Sequence, residues 1–208
     1  MTQDTMGILR AHPLVAILRG VTPGEVLAVA DILLRAGFRV IEVPLNSPSA
    51  LDSIGMLARA MQADVVVGAG TVLTVDQAKA CAQAGARLIL SPNLNPAVVR
   101  QTVSIGLTSM PGVATPSEGF AALEAGAHAL KLFPADVLGT VSVKAWRAVF
   151  DPATAFYGVG GIAADNMAAF RRAGATGVGL GSSLYQPGIA LDELARRAAL
   201  MWAAWELH

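Results

Sequence analysis

Eight short apolar runs, each bounded by Gly, Pro, Ser or Asn, punctuate this chain and leave few folds open to it. They occupy residues 14–18, 40–45, 65–67, 87–90, 107–110, 127–133, 155–159 and 177–180. Runs so rich in Val, Ile, Leu and Phe read as strands buried on both faces, the signature of a parallel sheet. The intervening segments are Ala-rich and helical in character. Thr22-Pro23-Gly24-Glu25, Thr74-Val75-Asp76-Gln77 and Thr115-Pro116-Ser117-Glu118 have the form of capping boxes. Ser47-Pro48 and Asn95-Pro96 are weaker helix starts. Gly37, Gly85, Gly106, Gly126 and Gly174 each precede a strand, where a helix needs a left-handed cap. Eight strand–helix units of about 26 residues predict a closed, compact (β/α)8 TIM barrel with minimal insertions. An open doubly wound sheet is the alternative, but no Gly-x-Gly-x-x-Gly turn follows the first run. No linker is visible, so residues 1–208 are expected to form a single domain.

Composition narrows the function. Hydrophobic residues make up 54% of the chain and charged residues 14%, with a formal net charge of zero. Neither a basic stretch nor a long apolar run is present, so nucleic acid and membrane are not expected partners. Residues 1–20 lack the layout of a signal peptide, and the expected location is the cytoplasm. Cys81, the single cysteine, reads as a small buried hydrophobe. His12, His128 and His208 do not cluster, and no metal-ligand spacing is present.

A barrel of this kind carries its site at the C-terminal ends of its strands. Lys131 stands out there, in Ala129-Leu130-Lys131-Leu132-Phe133. Alternation puts Leu130 and Leu132 on one face and Lys131 on the other. If the leucines face the helices, Lys131 points into the barrel mouth. A desolvated amine loses basicity and becomes free to attack a carbonyl. The other two lysines, Lys79 and Lys144, fall on expected helix surfaces. Glu42, in Val40-Ile41-Glu42-Val43-Pro44, is inward-facing by the same alternation. A carboxylate there needs an ion-pair partner, such as Arg19 or Lys131, or a proton to move. Arg19 ends the first run and suits a carboxylate or phosphate. Val159-Gly160-Gly161-Ile162 and Gly179-Leu180-Gly181-Ser182-Ser183 end the seventh and eighth runs, where barrels cradle phosphate on backbone N–H groups. Gly68-Ala69-Gly70-Thr71 ends the third run and is expected to let backbone and hydroxyl approach a ligand.

Taken in order, several segments resemble one family over nearly the whole chain: the pyruvate-dependent class I aldolases of 2-keto-3-deoxy-6-phospho sugar acids, the KDPG/KHG aldolases. The segments are Leu14-Val15-Ala16-Ile17-Leu18-Arg19-Gly20, Glu42-Val43-Pro44-Leu45-Asn46-Ser47-Pro48, Gly68-Ala69-Gly70-Thr71-Val72-Leu73, Ser91-Pro92-Asn93, Pro111-Gly112, Lys131-Leu132-Phe133-Pro134, Val159-Gly160-Gly161 and Gly179-Leu180-Gly181-Ser182. The resemblance implies Lys131 as the Schiff-base lysine and Glu42 as general acid and base. It implies Gly160, Gly161, Gly181 and Ser182 at the phosphate, and Thr71, Pro92 and Phe133 around pyruvate, with Arg19 and Val159 also on the substrate. It further implies a homotrimer and no dissociable cofactor, the imine itself being the electron sink.

Phosphogluconate-type members carry Arg where this chain has Asn46, and Thr-Gly-Gly where it has Val159-Gly160-Gly161. Asn46 cannot form a bidentate carboxylate pair, which leaves Arg19 as the substitute and resembles the phosphogalactonate branch. The alternatives are a phosphogluconate or 4-hydroxy-2-oxoglutarate substrate, or a phosphosugar isomerase or epimerase, which would need no buried lysine. A non-catalytic phosphosugar sensor would have lost Lys131 or Glu42.

Overall fold

The computed structural model describes residues 4–206, so His208 and the outermost ends of the expected 1–208 domain lie outside the described residues. Helices and strands alternate as α1 (Thr5–Ala11), β1 (Leu14–Ile17), α2 (Val26–Arg35), β2 (Val40–Pro44), α3 (Ala50–Ala60), β3 (Val66–Gly70), α4 (Val75–Gln83), β4 (Leu88–Leu90), α5 (Pro96–Ser104), β5 (Thr108–Met110) and β6 (Gly112–Val113). They continue as α6 (Pro116–Glu124), β7 (Leu130–Leu132), α7 (Ala135–Arg147), β8 (Phe156–Val159), α8 (Met167–Arg172), β9 (Gly177–Leu180) and α9 (Leu191–Glu206).

All paired strands run parallel, in the order β5-β4-β3-β2-β1-β9-β8-β7-β6. The nine strands build the eight staves of the expected (β/α)8 barrel, because β5 and β6 are two pieces of one stave broken at Pro111. Proline has no N–H to give the ladder. Its carbonyl still accepts from Lys131 N–H at 2.9 Å, and Ser109 O accepts from Ala129 N–H at 3.4 Å, which joins the two ends of the sheet.

Strand alternation divides the core in two. Leu14, Ala16, Leu18, Ile41, Val43, Leu130, Leu132 and Leu180 face the helices. Val15, Val40, Val66, Leu88, Met110, Ala129 and Tyr157 fill the inside of the barrel with Ile8 and Leu9 of α1. This first helix closes the N-terminal end of the barrel, and Tyr157 Oη donates to Leu9 O at 2.8 Å. Nothing in the sequence reading anticipates α1: with two buried residues in seven, it has too little periodicity to register.

Two of the five expected helix starts differ. The Thr74–Gln77 and Thr115–Glu118 boxes form reciprocally, and Asn95 caps α5. At Thr22-Pro23-Gly24-Glu25 the Glu25 carboxylate does accept from Thr22 N–H and hydroxyl, but the helix begins only at Val26. Ser47 caps no helix; its hydroxyl accepts from Gly20 N–H at 2.9 Å and ties the β2–α3 loop to the β1–α2 loop. The five glycines expected at helix ends all have φ between 77° and 106°, the left-handed cap geometry. Cys81 is fully buried in α4, and burial pushes its thiol up to about 12. Helix α9 turns Trp205 and Met201 into the core, and Trp202 packs edge-on against Phe38.

Candidate active site

The inward positions change character toward the C-terminal end of the barrel. On β2, Val40 is followed two residues later by Glu42; Ala129, just before β7, is followed two residues later by Lys131. Both ionisable side chains are buried, at 2% and 5% exposure. Among the described residues no ion pair within 4.0 Å joins Glu42 to Lys131 or Arg19, and Glu42 Oε2 has no hydrogen-bond partner. The structural ion pair that the sequence left open for Glu42 is therefore not made.

Burial dominates the ionisation of both groups. It pushes Glu42 up to about 7 against the opposing pull of Lys131 and Arg19. It lowers Lys131, Arg19 lowers it further, and Glu42 works the other way. A lysine so placed carries an available lone pair more of the time than a solvated one, and a carboxyl near 7 can both give and take a proton. Lys131 Nζ also sits 4.9 Å from the centroid of the Phe133 ring.

Above this pair opens a cavity of about 450 Å³. Lys131 and Phe133 line it from one side, Thr71 and Pro92 from the β3 and β4 loops, and Val159, Gly160, Gly161, Gly181 and Ser182 from the β8 and β9 loops. Arg19 completes the rim. Of the residues expected to carry chemistry, substrate or phosphate by the family resemblance, all line this cavity except Glu42, whose carboxylate lies against Gly70, one residue before the lining Thr71. Thr71 holds φ at 57°, a strained conformation for a β-branched residue and one that clusters at functional sites.

Gly160 and Gly161 both turn left-handed, at φ 101° and 64°. Asn166 holds their loop: its Oδ1 accepts from Ala163 N–H at 3.0 Å and its Nδ2 donates to Gly161 O at 2.7 Å. Ser183 Oγ donates to Ile162 O at 2.7 Å, which staples the β8 loop to the β9 loop. The N–H groups of Ser182 and Ser183 make no hydrogen bond to a protein acceptor among the described residues. This is the donor arrangement that takes an anion. Neither Asn166 nor the bond from Ser183 to Ile162 was anticipated from sequence. Their partners lie in loops, where no periodic pattern marks them.

Arg19 is held by Asn46, with Nη1 donating to Oδ1 at 2.7 Å. A neutral amide orients the guanidinium without cancelling its charge, so its remaining donors face the site as a cation. Gly68 and Gly70 sit on the inner face of β3 beside Glu42, and Thr71 of the same segment lines the cavity. Among the described residues no group of three or more His, Cys, Asp or Glu is placed to hold a metal ion. Nor is any helix long and apolar enough to cross a membrane.

Comparison with known proteins gives the family of the chain. The family model described as "Aldolase: KDPG and KHG aldolase" fits residues 6–199. The chain is 44% identical to the 2-dehydro-3-deoxy-6-phosphogalactonate aldolase of Escherichia coli K12 over 193 residues, covering 93% of this chain and 94% of that one. It is 37% identical to a 2-dehydro-3-deoxy-phosphogluconate aldolase of Treponema pallidum over 146 residues, 70% of this chain and 69% of the other. A solved structure described as "Native KDPGal structure" superposes with a TM-score of 0.92 at 42% identity, over 99% of this chain and 97% of its own. The chain belongs to the KDPG and KHG aldolase family of lyases.

Proposed function

We propose that this class I aldolase cleaves 2-dehydro-3-deoxy-6-phosphogalactonate to pyruvate and D-glyceraldehyde 3-phosphate through a Schiff base on Lys131. The observation that carries the reading is a buried, unpaired lysine of lowered basicity in one cavity with a two-loop anion cradle. The phosphogalactonate relatives add support by matching nearly the whole chain, with a reach that the phosphogluconate relative lacks.

Glu42 takes a proton from Lys131, whose freed Nζ attacks the C2 ketone, and the carbinolamine loses water as Glu42 hands that proton to the departing hydroxyl. The resulting iminium draws electrons from C3–C4. The C4 hydroxyl gives up its proton to Glu42, the C3–C4 bond breaks, and the aldehyde leaves. The electron pair rests in the enamine of pyruvate. A proton returns to C3, water adds to the iminium, and pyruvate departs with Lys131 regenerated. Glu42 suits the shuttling because a group near 7 is present in both forms at neutral pH. Gly160, Gly161, Gly181 and Ser182 hold the phosphate at the far end. Thr71, Pro92 and Phe133 enclose the pyruvate portion. Arg19, oriented by Asn46, meets the carboxylate, and Val159 lies beside the middle of the substrate.

The assembly is proposed to be a homotrimer working in the cytoplasm. Apolar surface for neighbours is offered by Val137 and Val141 on α7, each 78% exposed, and by Leu200 on α9, 47% exposed. The test of the substrate assignment is pyruvate release, with and without EDTA, from the galactonate-derived substrate and from its C4 epimer. Release that persists in EDTA and is faster from the galactonate compound is expected. Loss of activity restored by a divalent ion would reject the imine route, and a preference for the epimer would reject the branch.

A further inference from the structure

Glu42 is paired directly with Gly68 in the β2–β3 ladder, and Pro44 with Gly70. The two glycines therefore occupy successive inward positions on β3, flanking the place where Glu42 projects. Side chains on strands lean along the strand, and the diagonal neighbour two residues on lies within reach of a long one. Glu42 leans over Gly70 in this way. A Cβ at residue 70 would stand 2.0 Å from Glu42 Oε2, 2.6 Å from Cδ and 2.7 Å from Oε1. At residue 68 it would stand 3.1 Å from Glu42 Cβ, 3.3 Å from Leu88 O and 3.4 Å from Leu90 Cδ1. The three nearest atoms in the first set all belong to the Glu42 side chain; the second is a tight fit shared with the next strand.

We infer that Gly70 is a positioning residue: its missing side chain forms the notch that holds the Glu42 carboxylate buried, unpartnered and out of an ion pair with Lys131. This rests on the proposed role of Glu42 as the proton shuttle. Two features of the site follow from the notch. Glu42 Oε2 has no hydrogen-bond partner, because the surface it rests on is bare backbone at Gly70. Burial in that place is also the leading cause of its raised ionisation range. A methyl group at 70 would drive the carboxylate out of the notch, since the far end of a flexible side chain yields before backbone does. The backbone has no objection of its own, as Gly70 lies within β3 and is not among the left-handed glycines. The glycine is thus required by what stands on it.

The experiment is a double-mutant cycle. Gly70→Ala in the native background should keep the fold by circular dichroism and lower kcat roughly ten- to a hundredfold, part of the usual range for general acid–base catalysis, with KM nearly unchanged. Its acid limb in the pH profile should move down as the displaced carboxyl gains solvent. In the Glu42→Gln background the same substitution should add little to the loss, because the group it acts through is already gone. Equal losses in both backgrounds, or an unmoved limb, would overturn the inference. Native turnover in Glu42→Gln would instead overturn the shuttle role beneath it. Should Gly70→Ala fail to fold, Glu42→Ala with Gly70→Ala must fold, since the colliding carboxylate is absent. Failure there too would show that the notch serves something other than Glu42.

Discussion

The two sides of the cavity are built by different means. Glu42 and Lys131 stand on β2 and β7, fixed by parallel ladders and buried to within a few per cent of full exclusion from water. The anion cradle facing them stands on the loops after β8 and β9, where Gly161 and Ser182 are exposed and side-chain hydrogen bonds from Asn166 and Ser183 do the holding. Strands impose a side-chain direction at every second residue, and burial there alters basicity. Loops offer backbone donors to an anion while keeping contact with water. The groups proposed for the chemistry are thus strand-borne and those proposed for anchoring loop-borne. Changes on the first side should fall on turnover, and changes on the second or on the rim should fall on affinity and selectivity.

The largest expected effect is at Lys131. Lys131→Ala removes the only buried lysine and should lower kcat by ~10⁴ or more, while the fold and phosphate affinity persist. Turnover within tenfold of native would break the comparison outright. Next is Glu42→Gln, expected to cost roughly 10²–10⁴ in kcat. The native enzyme should lose kcat/KM on the acid side of about 7, as Glu42 gains the proton it must accept during cleavage, and the variant should lack that limb. A limb that survives in Glu42→Gln would assign it to another group.

Arg19 is rim-borne and exposed. Arg19→Ala should reduce kcat/KM by about ten- to a hundredfold, the range of a charge-assisted hydrogen bond, and chiefly through KM. An effect confined to kcat would move Arg19 to the chemical side of the division. The smallest is at Val159. Val159→Thr returns a hydroxyl near the middle of the substrate and should shift the ratio of kcat/KM for the two C4 epimers toward the gluconate compound by about tenfold, ~1.4 kcal/mol. An unchanged ratio would remove Val159 from the selectivity of the site.

The same division decides what the sequence could disclose. Lys131 and Glu42 were legible because alternation within a buried strand is local: the faces of Leu130 and Leu132 determine the face of Lys131. The eight staves and five glycine caps were legible for the same reason. The cradle was legible only as paired glycines, without Asn166 or the Ser183 staple. Asn46 was noticed as a departure from a pattern, but its grip on Arg19 crosses 27 residues of sequence and has no local signature. Ser47 shows the opposite error, since a serine before proline reads as a helix cap yet here joins two loops. The contact of Gly68 and Gly70 with Glu42 was not legible, because Glu42 sits on a different strand. The break at Pro111 divided a stave that the apolar pattern ended at Met110.

The central claim is that Lys131 forms an imine with the keto acid. Incubation with pyruvate and sodium borohydride, followed by peptide mass mapping, reads that bond directly. The account predicts one reduced pyruvate adduct per chain, on the peptide carrying Lys131, dependent on pyruvate and absent from Lys131→Ala. An adduct on Lys79 or Lys144, or no adduct in a preparation that turns over substrate, would contradict it.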